Sequence, residues 1–183
     1  MQTLSGGLYH SGGYGALVFK YGDFKDQSLI MMGGRGTWVV NRAFGIGIEG
    51  NGIIPVHTYE GIDPAGLQPA YLVGGYGGLV LEPILWSNKL VHVTFPVSGG
   101  AGWLGYVRDW GSPDYDPVDS DLYDDDIFWY VEPNASIEMN ITRFFRVAAG
   151  VTARFAEDVE LVNTQSSDFN TFNFSLALKF GHF

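Results

Sequence analysis

The clearest alternation of apolar and polar positions lies at the C-terminal end. From Thr171 to Phe183 the chain reads TFNFSLALKFGHF, with Phe172, Phe174, Leu176, Leu178 and Phe180 on one face and Asn173, Ser175, Ala177, Lys179 and Gly181 on the other. Period two with one large apolar face predicts a β-strand. The same template finds seven more strands. Gly13 to Tyr21 sets Leu17, Phe19 and Tyr21 against Ala16, Val18 and Lys20, and a turn spans Gly22 to Asp26. Leu29 to Val40 has faces that differ little apart from Arg35, which is placed with Leu29, Met31, Gly33 and Thr37. After a tight turn at Asn41 to Ala43, Phe44 to Ile53 splits into Phe44, Ile46 and Ile48 against Gly45, Gly47, Glu49 and Asn51.

Ile54 to Ala70, with Pro55, Pro64 and Pro69, reads as a loop. Tyr71 to Trp86 opposes Val73, Leu79, Leu81 and Leu85 to Gly74, Tyr76, Gly78 and Glu82, and Leu90 to Tyr106 opposes Val91, Val93, Phe95, Val97 and Ala101 to His92, Thr94, Ser98, Gly100 and Gly102. Arg108 to Asp126 holds eight aspartates and is predicted as a loop, because such a stretch neither pairs nor packs as a strand. Ile127 to Met139 sets Trp129, Val131, Ala135, Ile137 and Met139 against Tyr130, Glu132, Asn134, Ser136 and Glu138. Phe144 to Phe155 sets Phe145, Val147, Ala149, Val151, Ala153 and Phe155 against Arg146, Ala148, Gly150, Thr152 and Arg154, and Ala156 to Asp168 is a last loop.

Eight strands, each near or above the roughly 9–11 residues that a tilted strand needs to cross a bilayer, alternate short and long connections. The expected fold is all-β, an eight-stranded antiparallel up-and-down transmembrane barrel with short periplasmic turns and longer external loops. Residues 1–10 lack periodicity and are read as a periplasmic tail, and 11–183 as the barrel domain. Charge decides which face is inside. Lys20, Arg35, Arg146, Arg154 and Lys179 share a face with Glu49, Glu82, Glu132 and Glu138. Five cations beside four carboxylates predict an interior network, because a small barrel has room for side chains only and buried charges need partners. The alternative is a soluble antiparallel sheet or ligand-carrying barrel with these charges in water.

Composition narrows this further. Among the 183 residues are 26 Gly, 13 Phe, 10 Tyr and 5 Trp, yet no apolar run approaches the roughly 20 residues of a membrane helix. The absence of Cys excludes disulfides and thiolate chemistry. A net charge of -10 opposes nucleic-acid binding. Met1 to Leu4 has neither a basic start nor an apolar core, so the reading predicts a mature, exported form lacking its signal peptide, with an added Met.

Candidate chemistry is sparse. Gly45 to Gly50 matches a dinucleotide fingerprint, but Asn51 and Gly52 follow where a helix would begin, so these are strand glycines. His10, His57, His92 and His182 show no metal-ligand spacing. His92 shares a face with Thr94 and Ser98; it either joins the interior network or hints at an outer-leaflet lipid-modifying hydrolase. No catalytic residue is assigned. Asp114, Asp116, Asp119 and Asp121 stand at calcium-like intervals without the EF-hand order, leaving a weak calcium site or a solvated loop as alternatives. Carboxylates with Trp110, Tyr115 and Tyr123 make this stretch the expected interaction surface.

The segments Tyr76 to Pro83, Val131 to Gly150 and Leu178 to Phe183 resemble small eight-stranded outer-membrane barrels of the OmpA/OmpX-like kind, in particular Bacteroidota proteins. The resemblance implies a bacterial outer-membrane protein among membrane lipid and lipopolysaccharide, inserted by the barrel assembly machinery through its last strand, with Phe174, Leu176, Leu178, Phe180 and Phe183 at the closure. It transfers no catalytic residues or cofactor. The expected role is structural or accessory, including as a subunit of a larger envelope complex. Phe183 stands out of phase with the outward face, and Pro83 and Pro133 predict bulges or strand ends.

Overall fold

The computed structural model describes residues 11–62, 69–108 and 122–183. Its strands are β1 (Ser11–Phe24), β2 (Gln27–Val40), β3 (Phe44–Ile54), β4 (Thr58–Tyr59), β5 (Ala70–Leu85), β6 (Val91–Thr94), β7 (Val97–Val107), β8 (Leu122–Asn140), β9 (Phe145–Ala153), β10 (Phe155–Glu157), β11 (Glu160–Leu161), β12 (Thr164–Gln165) and β13 (Phe172–His182); a single helical turn, α1 (Ser166–Phe169), precedes the last. β6 with β7, and β9 with β10, each make one wall strand, so the wall has eight. β1 pairs with β2 from Ser11↔Val40 to Phe24↔Gln27 and with β13 from Gly13↔His182 to Tyr21↔Phe174. The last strand thereby closes on the first, every wall pairing is antiparallel, and closure leaves the described wall strands without an unpaired edge.

Local chemistry sets where strands turn and break. The first turn is only Lys25 and Asp26, both at positive φ (50° and 61°), as in the two-residue hairpins that match strand twist; Gly22 and Asp23, expected in the turn, lie in β1. The strand expected from Leu90 to Tyr106 is interrupted at Phe95 and Pro96. The Phe95 amide donates to the Pro83 carbonyl (3.0 Å) and the Asn134 amide to the Pro96 carbonyl (2.8 Å). Pro133, within β8, pairs with Val97 at this same break, so three prolines lacking N–H groups share one level of the wall.

Three expected loops are partly ordered pairings. Asp124, Asp125 and Asp126 belong to β8 and pair with Tyr106, Gly105 and Leu104 of β7, contrary to the reading of Arg108 to Asp126 as loop. Backbone ladders can accommodate aspartates when their carboxylates find donors. Asp126 accepts from the Glu160 amide (2.7 Å), Asp124 from the Val162 amide (2.7 Å) and Asp125 from the Trp103 indole (2.7 Å). The segment after Arg154, expected as a loop from Ala156, holds β10, the β11–β12 hairpin and α1. Ile54 closes β3, and β4 pairs with the start of β5 inside the first proline-rich loop.

The two faces of the wall divide cleanly. Leu17, Ile46, Ile48, Leu79, Leu81, Trp129, Val131, Ile137, Val151, Phe174 and Leu176 are exposed on the outside, Leu79 to 68%. Lys20, Arg35, Glu49, Glu82, His92, Glu132, Glu138, Arg146, Arg154 and Lys179 are buried inside. Val73 shares the outward parity but is covered. That distribution inverts a soluble protein's and fits a wall whose solvent is hydrocarbon.

Candidate functional site: the barrel interior

Alternation on β1, β3, β5, β8 and β13 aims six charged side chains at one axis, and two lysines organise them. Lys20 of β1 donates to Glu49 of β3 (2.7 Å) and Glu132 of β8 (3.0 Å). Lys179 of β13 donates to Glu82 of β5 (2.5 Å) and Glu138 of β8 (2.5 Å). Each ammonium bridges carboxylates from separate walls. The other cations attach around these cores. Arg35 donates through Nε to Glu49 (2.6 Å) and Arg146 through Nη1 to Glu138 (3.0 Å), while Arg154 Nη2 stands 3.6 Å from Glu132.

Other polar groups complete the two clusters. The Tyr14 hydroxyl donates to Glu82, Asn51 Nδ2 to Glu49 (2.8 Å), and His92 Nε2 lies 3.1 Å from Glu138. Lys179 stands 4.7 Å over the Tyr14 ring and Lys20 5.3 Å over that of Tyr76, adding cation–π attraction in a buried site. Asn134 donates to Ser175 (2.7 Å) and hydrogen-bonds Thr152 (2.5 Å), tying β8 to β13 and β9. A void beside Thr94, Asn134, Ser136 and Lys179 measures about 10 Å³, room for roughly one water. Buried Thr94 Oγ1 has no partner among the described residues.

Charge does not fill the whole interior. Toward the long loops the lumen is packed by Phe24, Leu29, Met31, Tyr59, Leu72, Leu104, Tyr106, Phe128 and Phe169, so the expected polar plug occupies only part of the barrel. Phe169 descends from α1 to meet Phe128 edge-on at 5.2 Å and Phe24 at 6.0 Å. Arg154 marks the boundary. Its guanidinium lies 4.4 Å from the Phe169 ring and 4.7 Å from that of Tyr76, donates to the Tyr76 hydroxyl (2.8 Å), and leaves Nε and Nη1 without hydrogen-bond partners among the described residues.

At the turn end Phe183 points inward, not outward with Phe174, Leu176, Leu178 and Phe180. Its ring stacks on Tyr14 at 5.5 Å and carries the Arg146 guanidinium at 3.7 Å. The phase slip visible in the sequence therefore turns the last aromatic under the network. His92 is inside too, bonded to a carboxylate that also serves Lys179 and Arg146, and so does not face lipid as an outer-leaflet hydrolase would require. Asp114, Asp116, Asp119 and Asp121 lie outside the described residues, as does the tail 1–10. Among the described residues no group of three or more His, Asp and Glu could hold a metal ion. Sequence reading passed over Tyr14 and Phe169, since an inward tyrosine or a loop phenylalanine gives no periodic signal of its own.

No family model matches the chain, and no curated protein does. A solved structure does: Ail, the attachment invasion locus protein of Yersinia pestis, in complex with the heparin analogue sucrose octasulfate. It superposes with a TM-score of 0.50 at 10% identity, over 93% of this chain and 95% of that one. At that identity the likeness is one of fold, an eight-stranded barrel of the outer-membrane type.

Proposed function

We propose that this barrel is an integral protein of the bacterial outer membrane, with a polar side-chain-filled interior and a non-catalytic structural or accessory role. The observation that carries the reading is the inversion of faces: Leu79, Ile48, Val131 and Phe174 outside, and every charge of the two lysine-centred clusters inside. A soluble ligand-binding barrel would need the reverse, and its cavity would here be occupied by paired charges. A lipid-modifying enzyme would need a nucleophile, base and carboxylate converging at the lipid face, whereas His92 is spent on Glu138 inside.

On this reading 11–183 is the barrel domain and 1–10 a periplasmic tail. The barrel assembly machinery recognises β13, and the partners are membrane lipid, lipopolysaccharide and a protein of the envelope; the Bacteroidota likeness belongs to the same reading. The acidic stretch from Arg108 is its interaction surface, with calcium at Asp114, Asp116, Asp119 and Asp121 as the ligand to test. Expression with a signal peptide, followed by membrane fractionation and unheated electrophoresis, tests the placement. Outer-membrane recovery with a heat-sensitive mobility shift is expected; a soluble protein, or one released by high salt alone, refutes it.

A further inference from the structure

The turn end carries a charge pattern that the interior network does not use. Each of the three short turns there holds one basic residue, Arg42, Lys89 and Arg143, and none holds Asp or Glu. At the opposite end stand Asp23, Asp26, Glu60, Asp124, Asp125, Asp126, Glu157, Asp158, Glu160 and Asp168. The turns surround a polar recess of about 760 Å³ whose lining includes Arg42, Asn140, Arg143, Arg146, His182 and Phe183, with no Asp or Glu side chain among the described residues. Arg146 lies at its floor, 8% exposed, already satisfied on one side by Glu138 and backed by the Phe183 ring.

A low-dielectric floor with fixed cations and no side-chain carboxylate at the surface favours an anion with several acceptor oxygens, which arginine forks match geometrically. The surroundings point to where that anion comes from. Trp38, Phe44, Trp86 and Phe144 are exposed outward near the same turns, and Lys89 Nζ lies 5.7 Å over the Trp86 ring. Aromatic side chains at this level make the girdle that meets the polar headgroups of a bilayer. We propose that the turn-side recess is a binding site for a phosphate group, supplied by the headgroup of an anionic glycerophospholipid in the adjoining leaflet. The site rests on the membrane reading above and adds to it a lipid-selective contact that orients the barrel.

The test uses the full chain refolded in a zwitterionic detergent, with its barrel state checked independently by the unheated mobility shift. Failure of that shift would count against the membrane reading, not the anion site. The probes are dihexanoylphosphatidylglycerol, dihexanoylphosphatidylcholine and inorganic phosphate, each titrated by calorimetry. Arg42 and Arg143 lie in exposed turns, so R42Q/R143Q leaves the interior intact. Saturable binding of the phosphatidylglycerol is expected, at least tenfold weaker in R42Q/R143Q and at least tenfold weaker for the phosphatidylcholine. Equal affinity for inorganic phosphate, lost in the same variant, would keep the phosphate site but overturn its lipid source. Equal titrations of parent and variant with both anions would overturn the site altogether.

Discussion

Replacing Glu49 by Gln removes one charge while keeping the side chain's shape, at a site where the consequences can be counted. Glu49 Oε1 accepts from Lys20 (2.7 Å) and Asn51 (2.8 Å), and Oε2 accepts from Arg35 Nε (2.6 Å); its side chain is fully buried. Lys20 keeps Glu132 at 3.0 Å, but among the described residues Arg35 has no other carboxylate within ion-pair distance. The amide also turns a donor toward one of two cations. Breaking a buried pair in this way costs about 3–5 kcal/mol, most of it the penalty of the stranded partner. Replacing Arg35 by Met in the same chain removes the stranded charge, so E49Q/R35M should recover most of that loss, because apolar replacement of a whole buried pair is commonly near neutral. The assay is equilibrium urea unfolding of protein refolded into vesicles, followed by tryptophan fluorescence, with the coupling taken from the four-member cycle. An E49Q midpoint equal to the parent's, or additive single and double effects, would show that the network is not what holds these walls together.

Leu79→Arg places a charge on the outward apolar face and should cost about 2–4 kcal/mol if the site is mid-membrane, read by the same unfolding curve; no change would mean that this face is not in hydrocarbon. Phe169→Ala empties the apolar cap, should cost about 3–5 kcal/mol, and should make the segment carrying α1 cleavable by protease in the folded barrel. Gly78 and Gly100 face each other across β5 and β7, and a Cβ on Gly78 would meet the Gly99 carbonyl oxygen at 2.0 Å; Gly78→Ala should therefore hinder refolding, whereas Gly15→Ala, with open space around it, should not. The Tyr59 phenol, in the loop before β5, is raised to about 12 by burial and then by the neighbouring Tyr106. The neutral form is the one the fold favours, so its contribution is intact below pH 10 and lost as pH rises through 12; Tyr59→Phe should flatten the melting-temperature curve over that window.

The sequence alone determined the wall. Period-two alternation has only two outcomes per strand, and a charged residue on one face settles which outcome holds, so Glu49, Glu132, Arg146 and Lys179 could each be placed inward without coordinates. Strand count and the parity of short and long connections followed from the same signal. Tertiary structure decided what alternation cannot encode. Which carboxylate each cation meets depends on strand stagger around the closed wall, and that is how Lys20 and Lys179 come to span opposite sides. Asp124 and Asp126 read as unpairable because the donors to their carboxylates, the amides of Val162 and Glu160, come from a segment more than thirty residues away in the chain. The apolar cap was hidden for a related reason. Phe24, Leu72 and Phe128 share the inward phase of Lys20, Glu82 and Glu132, but Phe169 has no such phase, and only the folding of the last loop into the barrel mouth brings its ring onto their axis, where burying the rings excludes water from the charges below.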